Sequence, residues 1–139
     1  MRKLVAASVA VLAVVLLVAC TPDEANHLAA VNDFRTANHV PALTWDEGIY
    51  AAARNWSQHM AVAGTLSHPS SLAADFAPPA GWVKVGQNVA EAPTLDGAMT
   101  ALENSAPHRA NLLDPAFTHI AVGVIKANGM YWVTEDFLG

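Results

Sequence analysis

Three kinds of side chain in this 139-residue chain could do chemistry: one Cys, six His and twelve Asp or Glu. A single thiol forms neither an intramolecular disulfide nor a Cys-based zinc cluster. The imidazoles at His27, His39, His59, His68, His108 and His119 could each ligate a metal or move a proton near neutral pH. For either task they need company: a third protein ligand for a catalytic zinc, or a carboxylate to orient a ring or activate a water. Other catalytic patterns do not occur in the sequence. There is no Gly-x-Ser-x-Gly turn for a serine nucleophile, no Gly-x-x-x-x-Gly-Lys loop and no Gly-x-Gly-x-x-Gly.

Composition narrows the classes further. Seven Lys and Arg against twelve acids give a formal charge of −5, with no basic stripe to displace phosphate counterions, which argues against nucleic acid. Apolar residues make up 53% and ten aromatics are present, so the chain can build a core rather than stay disordered. Its length suits one domain.

Residues 1–19 read as a signal peptide. Met1-Arg2-Lys3 is a basic start, and Leu4 to Ala19 is apolar apart from Ser8, a run shorter than the roughly 20 residues of a comfortable membrane span. It ends in Leu17-Val18-Ala19-Cys20, which resembles the bacterial lipobox. Small residues let a peptidase seat the chain, and the thiol carries diacylglycerol through a thioether. The alternative is an uncleaved anchor helix with an incidental Cys. Lipidation at Cys20 would consume the only thiol, so a cysteine protease is not expected. Acyl chains at about 0.8 kcal/mol per buried CH₂ would hold the domain on a membrane. Without Arg2 and Lys3, five basic residues face twelve acids, a formal −7, so lipid rather than surface charge must do the holding. The expected place is the extracytoplasmic face of the cell membrane, with residues 20–23 as the lipidated N-terminus and residues 24–139 as the domain.

The elements that would position the chemistry follow from caps and periodicity. Thr21-Pro22-Asp23-Glu24 has the form of a capping box, opening a helix with Leu28, Val31 and Phe34 or Arg35 on one face, to about Asn38. Asp46 reads as a second N-cap, for a helix with Ile49, Trp56 and Met60 inward that closes at Gly64. Trp45 and Trp56 read as core anchors. Residues 65–81, with Pro69, Pro78, Pro79 and Gly81, read as loop with room for a short turn. Trp82–Val89 reads as a strand, and Thr94 caps a helix with Leu95, Ala98, Met99 and Leu102 inward. Ser105-Ala106-Pro107 opens a short helix through Leu113. Ile120–Ala127 and Met130–Phe137 are strands joined by Asn128-Gly129, which suits a type I′ turn. Helices followed by short strands imply an α+β fold.

Several fragments recur in a recognisable order: Val31-Asn32-Asp33-Phe34-Arg35, Pro41-Ala42-Leu43-Thr44-Trp45, Thr65-Leu66-Ser67-His68, Gly86-Gln87-Asn88-Val89-Ala90, Ser105 to Leu113, Phe117 to Val124 and Tyr131-Trp132-Val133. Together they resemble the CAP superfamily (cysteine-rich secretory proteins, antigen 5, pathogenesis-related proteins; the SCP domain), in its short, disulfide-free bacterial form. The resemblance implies a three-layer α-β-α sandwich with a small antiparallel sheet. It also implies a cleft lined by two His and up to two Glu that can hold a divalent metal.

On that resemblance the two His match His68 and His108. The first Glu position holds Gln87, and the second falls near Ser105, with Leu102 at the position of a family Trp. Both imidazoles are retained and both carboxylates are replaced. A Gln offers a neutral carbonyl and an NH₂ and takes no proton near neutral pH. It is expected to bridge the two His by hydrogen bonds while removing the general base. A metal held by His68 and His108 alone, zinc for example, would be weak, and no other cofactor is expected. Glu91 and Glu103 are the remaining acids that could substitute. Glu91 would share the Gln87 face but lie beyond the strand's end, and Glu103 would face away from the core. His27, His39, His59 and His119 read as surface residues, Asn88 as a brace for loop backbone, and Arg109 and Asn111 as braces of the helix after Ser105. Taken without the resemblance, His68 and His108 read as structural His closing loops. Three functions remain open: a non-enzymatic binding module for a lipid-like or cell-envelope ligand, a metal-assisted hydrolase or peptidase, and a structural envelope protein with a vestigial cleft.

Overall fold

The computed structural model describes residues 20–139; the signal-peptide reading of residues 1–19 lies outside them. The elements are α1 (Pro22–Ala37), β1 (Thr44–Trp45), α2 (Tyr50–Ala63), α3 (Leu72–Phe76), β2 (Val85–Ala92), α4 (Leu95–Asn104), α5 (Ala106–Leu112), β3 (His119–Ala127) and β4 (Met130–Leu138). The strands form one sheet in the order β1-β3-β4-β2. β4 pairs antiparallel with both β2 and β3, whereas β1 joins β3 in parallel. The sheet is therefore mixed, not purely antiparallel as expected. No tight turn connects β1 to β3, so nothing in the chain forces them to run in opposite directions.

Alternation along the strands sorts the core into two layers. Val133 and Phe137 of β4, with Ile120, Val122 and Val124 of β3, pack against Val31 of α1, Met99 and Leu102 of α4 and Leu112 of α5. On the other face, Ala121 and Leu138 meet Ile49, Ala53 and Phe76, and Trp132 and Val89 meet Met60. Helices thus cover both sides of the sheet, which is the α-β-α sandwich. Gly123 lets α2 lie directly on β3, because an added Cβ would run into the Ala53 carbonyl. Ser57 Oγ uses the same closeness to donate to the Gly123 carbonyl at 2.8 Å.

The caps explain where elements begin. Thr21 and Glu24 form the expected capping box at the start of α1. Asp46 does not cap α2 directly. Its Oδ1 accepts from the Gly48 and Ile49 amides in a preceding turn, and the helix opens at Tyr50. Gly64, at φ 64°, closes α2 in the left-handed region, in agreement with the sequence reading. A short helix, α3, stands within the segment expected to be loop, its N-terminus held by Ser71 Oγ accepting from the Ala74 amide. β2 begins and ends three residues later than expected, since its pairing with β4 runs from Val85 to Ala92. Asn128 and Gly129 both have positive φ, 52° and 77°, and make the tight hairpin that those two residue types favour.

Candidate functional site

The residues singled out from the sequence gather along β2, the edge strand. Gln87 and Asn88 are neighbours on that strand, so their side chains point to opposite faces. Gln87 is buried and faces the α2–α3 layer beside Asp136, its partner in register on β4. Asn88 is fully buried and faces α1, α4 and α5.

His68 lies on the loop after α2 and is exposed. Trp56 sets that loop in place, its Nε1–H donating to the Ser67 carbonyl at 2.8 Å. The His68 Nδ1 is 2.7 Å from Gln87 Oε1, and Gln87 Nε2 donates to Asp136 Oδ1 at 2.8 Å. Gln87 therefore does not bridge the two imidazoles as expected. Its NH₂ is claimed by a buried carboxyl directly across the ladder.

His108, half-buried on α5, makes its side-chain bond to Ser105 Oγ at 2.9 Å through Nδ1. Ser105 stands where the resemblance placed the second acid, and it serves the ring as a hydroxyl. The backbone of His108 is clamped to β2: Asn88 Nδ2 donates to its carbonyl at 3.1 Å. Asn111 Nδ2 donates to Asn88 Oδ1 at 2.9 Å and to the Gln87 carbonyl at 3.3 Å. Asn111 thus ties α5 to the strand rather than bracing its own helix. Arg109 does brace the surface, reaching Asn38 and the Glu103 carbonyl and lying 4.8 Å over the Phe34 ring.

Burial holds the His108 imidazole below the ordinary histidine range, and positive charge on His68 would lower it further, against a smaller raising effect from Glu135. Asp136 moves the other way. Burial pushes its carboxyl well above the usual aspartate range, Asp75 and Glu135 add to that, and the Gln87 bond opposes it. Its Oδ2 has no partner, and the same holds for Asp75 Oδ2.

Next to His108 opens a groove of about 240 Å³, lined by Leu66, Val89, Ala90, Glu91, Ala101, Leu102, Ser105 and His108. The lining is mainly apolar, with polar groups from Glu91, Ser105 and His108. Glu91 lies inside β2 rather than beyond its end, and its exposed side chain belongs to the groove wall. His68 and Gln87 lie beside the groove rather than in its lining.

A resident metal fits poorly. Both Nδ1 atoms and both ends of the Gln87 amide are already engaged, which leaves two Nε2 donors against the three protein ligands of a catalytic zinc. Among the described residues no three His, Cys, Asp or Glu side chains are placed to share an ion.

One histidine departs from its sequence reading altogether. His27 is 1% exposed, and its Nε2 sits 2.7 Å from Glu135 Oε1 in a buried pair. The buried stripe of α1 is Glu24, His27, Val31 and Arg35. Val31 and Arg35 stand as expected and Leu28 and Phe34 pack at the core's margin, while Glu24 and His27 add polar side chains not expected there. Glu135 Oε2 also accepts from Asn88 Nδ2 at 2.9 Å, which links His27 to the clamp under His108. His39 and His59 are exposed as expected, while His119 is half-buried with its ring against Trp82. The signal that could have found these residues is the pair Glu135-Asp136 in an otherwise apolar strand: adjacent acids on a central strand must be buried on opposite faces.

The model of the cysteine-rich secretory protein (CAP) family matches residues 28–137. The chain belongs to that family. The Bacillus subtilis protein YkwD is 32% identical over 117 residues, covering 78% of this chain and 44% of YkwD. A crystal structure of an extracellular protein containing a SCP domain from Bacillus anthracis aligns over 84% of this chain and 40% of its own, with 26% identity and a TM-score of 0.70. The chain thus spans less than half the length of these two relatives. An outer surface protein of Borrelia burgdorferi has the same fold at 14% identity, with a TM-score of 0.74 over 84% of this chain and 91% of its own. The resemblance read from seven fragments is borne out, and so is the α-β-α sandwich.

Proposed function

We propose that this CAP domain is a non-enzymatic binding module, held at the extracytoplasmic face of the membrane through lipidated Cys20. Its ligand has an apolar body and is a lipid or another cell-envelope component. The observation that carries this reading is the groove beside His108: apolar along Leu66, Val89, Ala101 and Leu102, with polar groups only at Glu91, Ser105 and His108. Such a cavity suits a ligand with one polar end. The replacement of both acids of the His pair supports binding over hydrolysis, since the Gln87 amide beside His68 takes no proton near neutral pH. The extracellular Bacillus anthracis relative supports a place outside the cytoplasm. Anchoring is assigned to Cys20 on its lipobox-like setting, Leu17-Val18-Ala19-Cys20, two residues before α1.

Native mass spectrometry of the chain extracted from host membranes tests the binding reading. A bound lipid is expected, and lost in Ala101→Trp, which fills the groove; an empty wild-type groove overturns the proposal. Detergent-phase partitioning and acyl labelling, both lost in Cys20→Ser, test the anchor. Zinc calorimetry tests the alternative of a metal-assisted hydrolase. Micromolar binding lost in His68→Ala and His108→Ala would favour the alternative, and the expected result is weak binding or none.

A further inference from the structure

An exposed imidazole on a loop normally has no fixed tautomer, because water serves either nitrogen. His68 is exposed, yet its Nδ1 is engaged at 2.7 Å by Gln87 Oε1. The other end of that amide is also committed, with Gln87 Nε2 2.8 Å from Asp136 Oδ1. A carboxylate oxygen only accepts, so the amide must turn its NH₂ to Asp136 and its oxygen to His68. An amide oxygen has no proton to give. The proton in the last contact must therefore sit on His68 Nδ1.

We propose that Asp136, acting through Gln87, holds neutral His68 as the Nδ1–H tautomer and so presents an unprotonated Nε2 at the exposed edge of the ring. Asp136 is then a positioning residue for an imidazole it does not touch. Isolated histidine side chains favour the other tautomer, with the proton on Nε2, so the relay works against the intrinsic preference of the ring. Every link except His68 is shielded from water: Gln87 is 5% exposed and Asp136 is 0% exposed. Solvent therefore cannot take over the bonds that fix the amide.

A neutral Asp136 is compatible with the same arrangement. Its second oxygen, Oδ2, is buried without a partner, and a proton held there leaves Oδ1 free to accept from the amide. A proton on Oδ1 instead would reverse the chain, turn the amide over and move the His68 proton to Nε2. On the binding reading above, an unprotonated Nε2 accepts a hydroxyl or ammonium hydrogen and disfavours a carboxylate. The tautomer itself is a property of the ligand-free chain and can be tested whether or not any ligand is found.

The test is a long-range proton–nitrogen correlation spectrum of the full chain in detergent micelles. Its histidines carry nitrogen-15, and the pH is about 8, where imidazoles are neutral. For His68 the expected pattern is a pyrrole-type Nδ1 and a pyridine-type Nε2. The reverse pattern in the wild type overturns the proposal. In Gln87→Met and in Asp136→Leu the major tautomer is expected to switch to Nε2–H. An unchanged Nδ1–H in Asp136→Leu overturns the role of Asp136. If that variant does not fold, Gln87→Met carries the test alone, and an unchanged Nδ1–H there overturns the relay.

Discussion

Two polar clusters in this molecule are built to different rules. The first belongs to α1. Glu24 is fully buried and accepts from the Thr21 amide, the Tyr50 hydroxyl, Arg54 Nη1 and the Val124 amide. Arg35, 1% exposed, donates to the carbonyls of Pro41, Leu112, Asp114 and Phe117. Burial draws the Arg35 guanidinium down from its ordinary range, with Asp114 opposing. Next to Glu24, Tyr50 is pushed up to about 12 by burial and by the carboxylate bond. The second cluster is His68, Gln87 and Asp136, where one ring is exposed and one buried carboxyl oxygen has no partner. A polar network that serves stability satisfies all its atoms. The His68–Gln87–Asp136 network is left partly open and reaches the surface.

The difference can be broken from the structural side first. Arg35→Leu strands four carbonyls at once, and at about 1–3 kcal/mol for each unsatisfied group a loss of at least about 3 kcal/mol is expected in urea unfolding. A loss below about 1 kcal/mol would put Arg35 outside the load-carrying set. Glu24→Leu removes one half of the capping box and leaves the Val124 amide and the Tyr50 hydroxyl unpaired, for an expected loss of about 2 kcal/mol in the same assay.

The cleft side should respond in the opposite direction. Because the native Asp136 carboxyl titrates above its unfolded value of about 3.9, its stabilising contribution is complete below that value. It is lost as pH rises through the raised native one. Asp136→Asn keeps an acceptor oxygen and removes the titration, so it is expected to gain on the wild type as pH rises from about 4 to about 8. A stability gap that stays flat across that range would show that the carboxyl is not strained by burial. The smallest effect is at the surface: His68→Ala should change stability by no more than about 0.5 kcal/mol. It should also raise the His108 titration point, seen by NMR, while leaving it below the ordinary range because burial is the larger cause.

The same contrast explains which parts of the molecule are legible in the sequence and which are not. Caps, turn residues and apolar spacing are local, so α1, α4, α5 and the Asn128-Gly129 hairpin stand where those signals place them. His68, Gln87 and His108 can be named because a family pattern fixes their positions. Their partners cannot be named that way, because a partner is set by pairing across elements. Asp136 meets Gln87 only through the β2–β4 register, and Glu135 meets His27 only once α1 lies on the sheet. The segment 72–76 reads as loop because its flanking Pro and Gly obscure a five-residue helix held by one serine cap.

Glu24 also fixes how the domain answers to a pull. Cys20 is one residue from Thr21, whose amide donates to Glu24 at 2.7 Å, and Glu24 in turn grips Arg54 on α2 and the Val124 amide on β3. Force applied at Cys20 passes within four residues into the middle layer of the sandwich, without first unravelling a helix end. A tether at that point would work as a stiff mount and not as a slack leash, giving the body a preferred bearing toward whatever surface holds it.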